Sequence, residues 1–556
     1  MTAAGRFVSS TALADNIASH FEHIADLVPG RVAVAAGERQ LTWGQVDELA
    51  DRLAGHLYAR GIRAGDRFGI NARNSPEYLV ALHALLKLMA VPININYRYR
   101  AEEVRHLLAS SGARGAVSDA DLAGVVAEAA EPVAGCDVLV EIAADGIGFG
   151  ADVAAAPRHP RRPRGDTEWL LFTGGTTGYP KAVVGSQAER LRSVRSGGFS
   201  ALGLNPADGV EALHQALDIE PFGKGGTVAL IAPPLMHGTG LYGALGALAV
   251  GAPVVLLPGR SVTGEDIVAA IARHRVTELH IVGDAFALRL LDALDAARDA
   301  GRPADISSLR KMRSVGAVWS PGVKRRLLAY ADMTLLDTIA ASEGGVYAHS
   351  SVTRKNVDEQ DASFVLAAGA RLLDEDDNDV QPGSGQVGML AAPVVPEAGY
   401  AGAPEQTAAA FRDLDGVRYS IPGDMAVLEA DGRLRLLGRG SSVINTGGEK
   451  VYADEVELVL HAHPAVRDVV VLGVPDPRWG SAVAAVVSLE RGTHADADEL
   501  AAFVAERLAS YKKPRQVAVV PEVQRLNTGK ADLGWARAQF DRQQSGERDA
   551  TAPTAR

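Results

Sequence analysis

The stretch that decides the reading of this chain is Leu170 to Val184, LLFTGGTTGYPKAVV. An apolar run leads into glycines, threonines and a lysine, the composition of a loop that grips phosphate. Gly174, Gly175 and Gly178 free the backbone to turn its N–H groups toward an anion. Thr173, Thr176 and Thr177 add hydroxyl donors, and Lys181 adds a compact cation. A nucleotide-binding P-loop would need G-x-x-x-x-G-K-[ST]. Here Lys181 follows Pro180, and no Gly-Lys-Ser/Thr occurs in the stretch. A Gly-Lys elsewhere, in LNTGKAD, has Gln524 where the first glycine should be and Ala531 where Ser/Thr should be. Both places exclude a P-loop. By itself the stretch reads equally well as a phosphate loop or as a Gly/Thr-rich turn after a strand.

Bulk properties narrow the field. At 556 residues the chain exceeds one ordinary core, which predicts at least two domains. With 47% hydrophobic and 22% charged residues it has the composition of a soluble globular protein. A net charge of -12 argues against nucleic acid or an anionic membrane surface as partner. Small anionic ligands stay open, because local amides and single cations can hold them. Cys136 is the only cysteine, so neither an intramolecular disulfide nor a cysteine-based metal site can form, which fits a reducing cytoplasm. The start, MTAAGRFVSSTALADN, does not read as a signal peptide. Runs such as APVVLLPG and TVALIAPPLMHG are broken by Pro and Gly well short of a membrane span and read as buried strands.

Along the chain, Thr42 with Gln45 three residues on is a capping-box pattern. Val46, Leu49, Ala50, Leu53, Leu57 and Tyr58 then share a helical face, and Gly61 closes it. Strands VAVAAG, TVALIAPP, APVVLLP and ELHIVGD alternate with helical patterns such as GEDIVAAIARHR and AFALRLLDALDAARDAG. That alternation predicts an α/β fold, a large N-terminal domain of mixed or parallel sheets flanked by helices over residues 1–437. Past RLRLLGRGSSVINTGGEK the pattern changes to a compact α+β unit, residues 442–540, a small mobile C-terminal domain after a hinge at 438–441. Residues 541–556 are polar and expected to be disordered. APRHPRRPRGD (Ala156 to Asp166) reads as a solvated connector, and DEDDNDVQPGSG (Asp374 to Gly385) as an acidic turn without the ordered spacing of a calcium loop.

LLFTGGTTGYPKAVV resembles the signature loop of the adenylate-forming superfamily: acyl-CoA synthetases, carrier-protein adenylation domains and luciferases. Its one departure is Ala182, where glycine is usual. Further resemblances follow in the family's order. PPLMHGTG resembles the motif that brings an aromatic or histidine to the acyl site, which implies His237 there. SVGAVWSPG resembles the segment beside adenine and substrate, implying Gly316 and Ala317. DTIAASEGG resembles the segment ending in Ser/Thr-Glu, implying Asp337 and Thr338 near the nucleotide, Ser342 on phosphate and Glu343 on magnesium. YSIPGD resembles the motif whose Asp, here Asp424, grips the ribose, with Ile421-Pro422 replacing the usual Arg-Thr. GRGSSVINTGGEKVYADEVE resembles the hinge motif, implying a ribose contact for Arg439 and the hinge at Ser441. LNTGKAD resembles the family's closing motif and implies that Lys530 is the catalytic lysine. Together the motifs span Leu170 to Lys530.

The resemblance implies an acid–CoA ligase that uses ATP and magnesium, with CoA as co-substrate. Acid and ATP would give an acyl-adenylate and pyrophosphate, and the CoA thiol would then release AMP. The residue types suit this: one anion must attack another, so the site needs cations and oriented donors where charge develops. NINYRYR and IVGDAFA lean toward the long or bulky-acid branch. Two rivals stand beside this reading. The acceptor could instead be a carrier-protein thiol, or nitrite could be activated and passed to an aryl amine. Or the chain could be a non-catalytic AMP-binding sensor or scaffold, against which Lys181, Glu343, Asp424, Arg439 and Lys530 together argue. A homodimer is a family-level expectation. Without the resemblance, His237 reads as a core histidine and Lys530 as a surface lysine. Asp284 reads as a helix N-cap, Trp479 as packing, and Lys450 and Glu455 as surface ion-pair residues or as groups that position CoA.

Overall fold

A computed structural model describes residues 15–173, 180–221, 225–259, 261–317, 319–357, 363–439, 443–446, 449–476, 479–526 and 529–545. The chain forms two compact units. The first is Met1–Ile281 with Ala293–Met312 and Val395–Ala409; the second is Val282–Asp292, Arg313–Val394 and Ala410–Arg556.

In the first unit the predicted strands form one parallel sheet in the order Glu278–Ile281, Ala229–Ile231, Val254–Leu256, Val32–Ala36. Arg39–Thr42 adds an antiparallel edge. Each parallel connection requires a crossover, and the helices Gly238–Leu248 and Gly264–His274 supply two of them. A second parallel sheet runs Val91–Asn94, Arg67–Asn71, Gly115–Asp119, Val138–Ile142. A third, antiparallel, joins Gly399–Tyr400, Lys181–Ser186 and Glu168–Thr173.

The capping box is present: Thr42 Oγ1 accepts from Gln45 N and Gln45 Oε1 from Thr42 N, opening the helix Trp43–Ala59. Val46, Ala50, Leu53 and Leu57 are buried as the period predicts. Tyr58 is exposed instead, with the Arg63 guanidinium 3.8 Å over its ring. The neighbouring helix Pro76–Lys87 is buried all round. Such a helix can carry polar groups only if each is paired. Lys87, whose side chain is 0% exposed, donates to Glu22 at 2.8 Å, Asp47 at 2.7 Å and Asp51 at 2.6 Å. These three carboxylates stand close enough to share a metal ion, and the Lys87 ammonium takes the cation's place.

The Arg-rich segment Ala156–Asp166 is largely exposed, as a solvated connector is, and its arginines complete that hub. Arg158 pairs with Asp51 at 2.6 Å, Arg161 with Asp47 at 2.8 Å and Arg164 with Glu22 at 2.7 Å. The segment is an ion-pair strap over the N-terminal helices. Composition could not show this, because its partners lie more than 70 residues away in sequence.

In the second unit an antiparallel array runs Phe411–Leu414, Val417–Ser420, Val387–Val394, Asp424–Leu428, Leu434–Arg439, Ser363–Leu366, Val346–Val352, Thr334–Ala340. The acidic segment is the predicted turn: Asp374 Oδ1 accepts from the backbone of Asp376 and Asn378. The C-terminal part of the unit carries a five-stranded sheet built on the long pair Val466–Asp476 and Gly480–Leu489. Successive side chains of a strand point to opposite faces, and both faces here are covered. Val469 and Val471 pack with Val456 and Leu500, whereas Val470 and Leu472 pack with Ala536 and Phe540.

Candidate active site

In the first unit, strands Glu168–Thr173 and Lys181–Ser186 pair in register, with Thr173 opposite Lys181 and Phe172 opposite Ala182. The pairing fixes both ends of the glycine-rich loop. Gly174, Gly175, Thr176, Thr177 and Gly178 lie outside the described residues. Lys181 reaches to 5.6 Å from the Tyr400 ring centre. Ala182 has a clear place: its methyl is buried at 6% exposure with Leu170, Phe172, Ile93 and Ile95. Its carbonyl accepts from Ala401 N at 2.9 Å. The methyl that replaces the usual hydrogen therefore faces the core side of the hairpin.

His237 is half-buried and precedes the helix Gly238–Leu248 as its N-cap residue. The turn that carries it is held by three side chains that sequence reasoning missed. Asn74 donates to Pro233 O and accepts from Leu235 N, and Tyr78 donates to Leu235 O. Asn94 donates to Met236 O at 2.7 Å and to Phe172 O at 2.9 Å, and accepts from Phe172 N at 2.7 Å. One buried carboxamide thus ties the residue before Thr173 to the residue before His237. The signal was an asparagine ending an otherwise apolar strand, in PININ.

In the second unit Gly344 links the turn of Ser342 and Glu343 to the strand that leads to Asp424. The Gly344 carbonyl accepts from Tyr347 Oη at 3.1 Å and from Ser420 Oγ at 2.9 Å. Gly344 and Gly345 both have positive φ, at 110° and 85°, so the turn carrying Ser342 and Glu343 takes a path that favours glycine. Ser420 ends the strand that leads through Ile421-Pro422 to Asp424. This places the Glu343 turn and the Asp424 strand against each other. Asp424, 9% exposed, stands opposite Arg439 in register. The Arg439 side chain and Ser441 lie outside what is described.

Gly316, at φ 97°, and Ala317 follow the strand Lys311–Val315, which neighbours Thr334–Ala340 in the sheet. Asp337 and Thr338 lie on that second strand. Burial pushes the Asp337 carboxyl up, and the Lys324 ammonium 2.7 Å away opposes the push. The Asp337 carboxylate is therefore engaged within the unit, and its strand pairs with Val346–Val352, with Asp337 opposite Ser350. Asp284 corrects its expected role as an N-cap. It sits inside the first turn of the helix Gly283–Asp299 and accepts from Ser320 N at 2.9 Å.

Lys530 is exposed, on a tight hairpin. Arg525 and Ala531 are bridge partners, and Leu526 N donates to Lys530 O at 2.8 Å. Gly529 packs so closely on Val282 that a Cβ would stand 2.9 Å from Val282 Cγ1. Trp479 has the Arg515 guanidinium 4.6 Å over its ring. Glu455 pairs with Lys512 at 2.6 Å, the ion-pair option. The Lys450 side chain is not described.

The AMP-binding enzyme family matches residues 21–392, and the AMP-binding enzyme C-terminal domain matches residues 455–530. The chain is 37% identical over 541 residues to a 3-oxocholest-4-en-26-oate–CoA ligase of Rhodococcus rhodochrous, covering 95% of this chain and 96% of that protein. It is also 37% identical to a medium/long-chain-fatty-acid–CoA/3-oxocholest-4-en-26-oate–CoA ligase of Mycobacterium tuberculosis, covering 95% and 97% of the two chains. In fold it is similar to the anthranilate CoA ligase AuaEII in complex with anthranoyl-AMP, with a TM-score of 0.81 and 20% identity over 95% of this chain and 98% of that one. The chain belongs to the AMP-binding enzyme family and is an adenylate-forming ligase of the AMP-forming acyl-CoA synthetase type.

Proposed function

We propose that the acid this ligase activates is long or bulky and largely apolar, of the fatty-acid or steroid side-chain class. The observation that carries this is the 37% identity, across 95% of the chain, to a 3-oxocholest-4-en-26-oate–CoA ligase. ATP and CoA are the co-substrates that the ligase type requires.

The residues support the following division of labour. A carboxylate oxygen attacks the α-phosphorus of ATP, forming the acyl-adenylate and releasing pyrophosphate. Two anions must approach, so the barrier falls only where positive charge and oriented donors stand ready. The hairpin of Thr173 and Lys181, with Gly174, Gly175, Thr176, Thr177 and Gly178 between them, cradles the phosphates, and Ser342 adds a hydroxyl. Asp424 accepts from the ribose hydroxyls, with Arg439 opposite it; Gly316, Ala317, Asp337 and Thr338 flank the adenine and ribose. His237 borders the acyl side. Lys530 bridges carboxylate and α-phosphate.

Magnesium fits the Glu343 turn, because one carboxylate beside the Ser342 hydroxyl is a hard-oxygen donor set of the kind that ion takes when phosphates supply the rest. When bound, it neutralises charge on the departing pyrophosphate. Glu343 would hold it. In the second half-reaction the CoA sulfur attacks the acyl carbon and the carbon–oxygen bond to AMP breaks. Residues 442–540 turn about Ser441 between the two steps, carrying Lys530 out of the site. A homodimer and a cytoplasmic location complete the proposal; no helix of the described residues is long and apolar enough to cross a membrane.

The test is a competition of acids at equal concentration with ATP, magnesium and CoA, read by mass spectrometry of the thioesters. Long-chain and steroid side-chain acids should outcompete short and aromatic acids. A preference for short or aromatic acids would overturn the substrate class. AMP formed without acyl-CoA, with product appearing only on a carrier protein or an aryl amine plus nitrite, would overturn the acceptor.

A further inference from the structure

In the unit that carries Lys530, a set of ionisable side chains is buried apart from the Glu343 turn and Asp424. Asp284 is 2% exposed. Its Oδ1 accepts from Ser320 N, and its Oδ2 has no hydrogen-bond partner among the described residues. That oxygen faces His461 Nε2 at 3.8 Å, and the His461 side chain is only 4% exposed. The same nitrogen lies 4.0 Å from Asp468 Oδ1. Asp468 accepts from Arg525 at both oxygens, at 2.6 and 2.9 Å. A bidentate guanidinium–carboxylate pair fixes orientation as well as position. Arg525 opens the hairpin that ends at Lys530, and the tip of that hairpin, Gly529, packs on Val282, two residues before Asp284.

These contacts form a chain from the lysine hairpin to the adenine-side segment. It runs through Arg525, Asp468, His461 and Asp284 to Ser320, three residues past Ala317. On the other side Gly283 N donates to Ser314 Oγ at 2.9 Å. A buried carboxylate oxygen without a hydrogen bond is costly unless a polar partner faces it, and the imidazole of His461 is the side chain that lies opposite. The distance is that of an ion pair rather than a hydrogen bond. The contact therefore tolerates separation without leaving a strained bond behind. His461 and Asp468 belong to residues 442–540, and Asp284 does not. Rotation of those residues about Ser441 would part them.

We propose that Asp284 and His461 are positioning residues, a latch that docks the Lys530 hairpin for adenylation and opens for thioester formation. This rests on the reading of Lys530 given above. The latch acts on where the hairpin sits and does not touch the reacting atoms.

Asp284→Asn keeps an oxygen for Ser320 N and removes the charge; His461→Gln removes the imidazole. Each variant, the double variant and Lys530→Ala are compared with the full-length parent in two assays. Acid-dependent ATP–pyrophosphate exchange reads adenylation, and acyl-CoA made from supplied acyl-adenylate reads the second step. Contacting residues are energetically coupled, so each single variant should lose about tenfold in exchange. The double variant should lose no more than either single variant, and thioester formation should stay within about twofold of the parent. Equal losses in both assays, unchanged exchange, or additive losses would overturn the latch. If Asp284→Asn does not fold, His461→Gln alone decides between a selective and a general loss. If Lys530→Ala retains exchange, the lysine assignment fails and the latch falls with it. If Lys530→Ala loses exchange while both latch variants keep it, only the latch falls.

Discussion

Replacing Lys87 by methionine leaves the helix Pro76–Lys87 its apolar stem and removes the charge that three carboxylates share. The Lys87 side chain is 0% exposed, and Glu22, Asp47 and Asp51 accept from it within 2.8 Å. Breaking a buried ion pair by removing one partner costs about 3–5 kcal/mol, whereas exposed pairs are worth about 1 kcal/mol or less. Three arginines remain to compensate, but unequally. Arg164 is 3% exposed, while Arg158 and Arg161 are 52% and 39% exposed and act partly through solvent. The loss for Lys87→Met should therefore lie near the lower end, about 3 kcal/mol. Arg158→Met, at the wet rim of the same hub, should cost about 1 kcal/mol or less. Urea denaturation of parent and variants, followed by circular dichroism and tryptophan fluorescence, measures both. Comparable losses for the two variants, or less than about 1 kcal/mol for Lys87→Met, would refute a hub centred on the lysine.

Asn94→Ala would leave Phe172 N, Phe172 O and Met236 O without their side-chain partner, and should cost roughly 3 kcal/mol. It should also lower ATP–pyrophosphate exchange. Full exchange in the folded variant would mean that Asn94 does not position the loop. Burial and the nearby Asp454 push the Glu457 carboxyl up to about 8 from an ordinary 4.5. The folded chain then holds the extra proton between those values, so this group lowers stability as pH rises from about 4.5 toward about 8. Glu457→Gln keeps an acceptor for Val471 N and should flatten that decline; an unchanged difference in denaturation midpoint between pH 5 and pH 8 would count against it.

Much of this was legible in sequence because it is local. The capping box at Thr42, the alternation of strands with helices, and the acidic turn at Asp374 each depend on residues within a few positions. The family was legible in the motifs taken as a series, since spacing and order carry information that single residues lack. Contacts distant in sequence were not legible. The Arg158–Arg164 segment reads as a solvated connector, and its ion pairs to Glu22 and Asp47 show only in the fold. Asp284 looks like a cap because its real partner, Ser320 N, is 36 residues away. Asn94 stands out in sequence only as a polar end to an apolar strand; what it clamps does not show, because its partners are backbone groups. Ala182 reads as an anomaly in a loop pattern, yet its methyl belongs to the packing of the hairpin.

The most direct test follows an atom. If a carboxylate oxygen attacks the α-phosphorus and the thiol later attacks the acyl carbon, that oxygen leaves with AMP. An acid labelled with oxygen-18 in its carboxylate, turned over with ATP and CoA, should yield AMP carrying one labelled oxygen for each acyl-CoA formed. Unlabelled AMP, label in free phosphate with ADP as co-product, or labelled AMP without acyl-CoA would contradict the account.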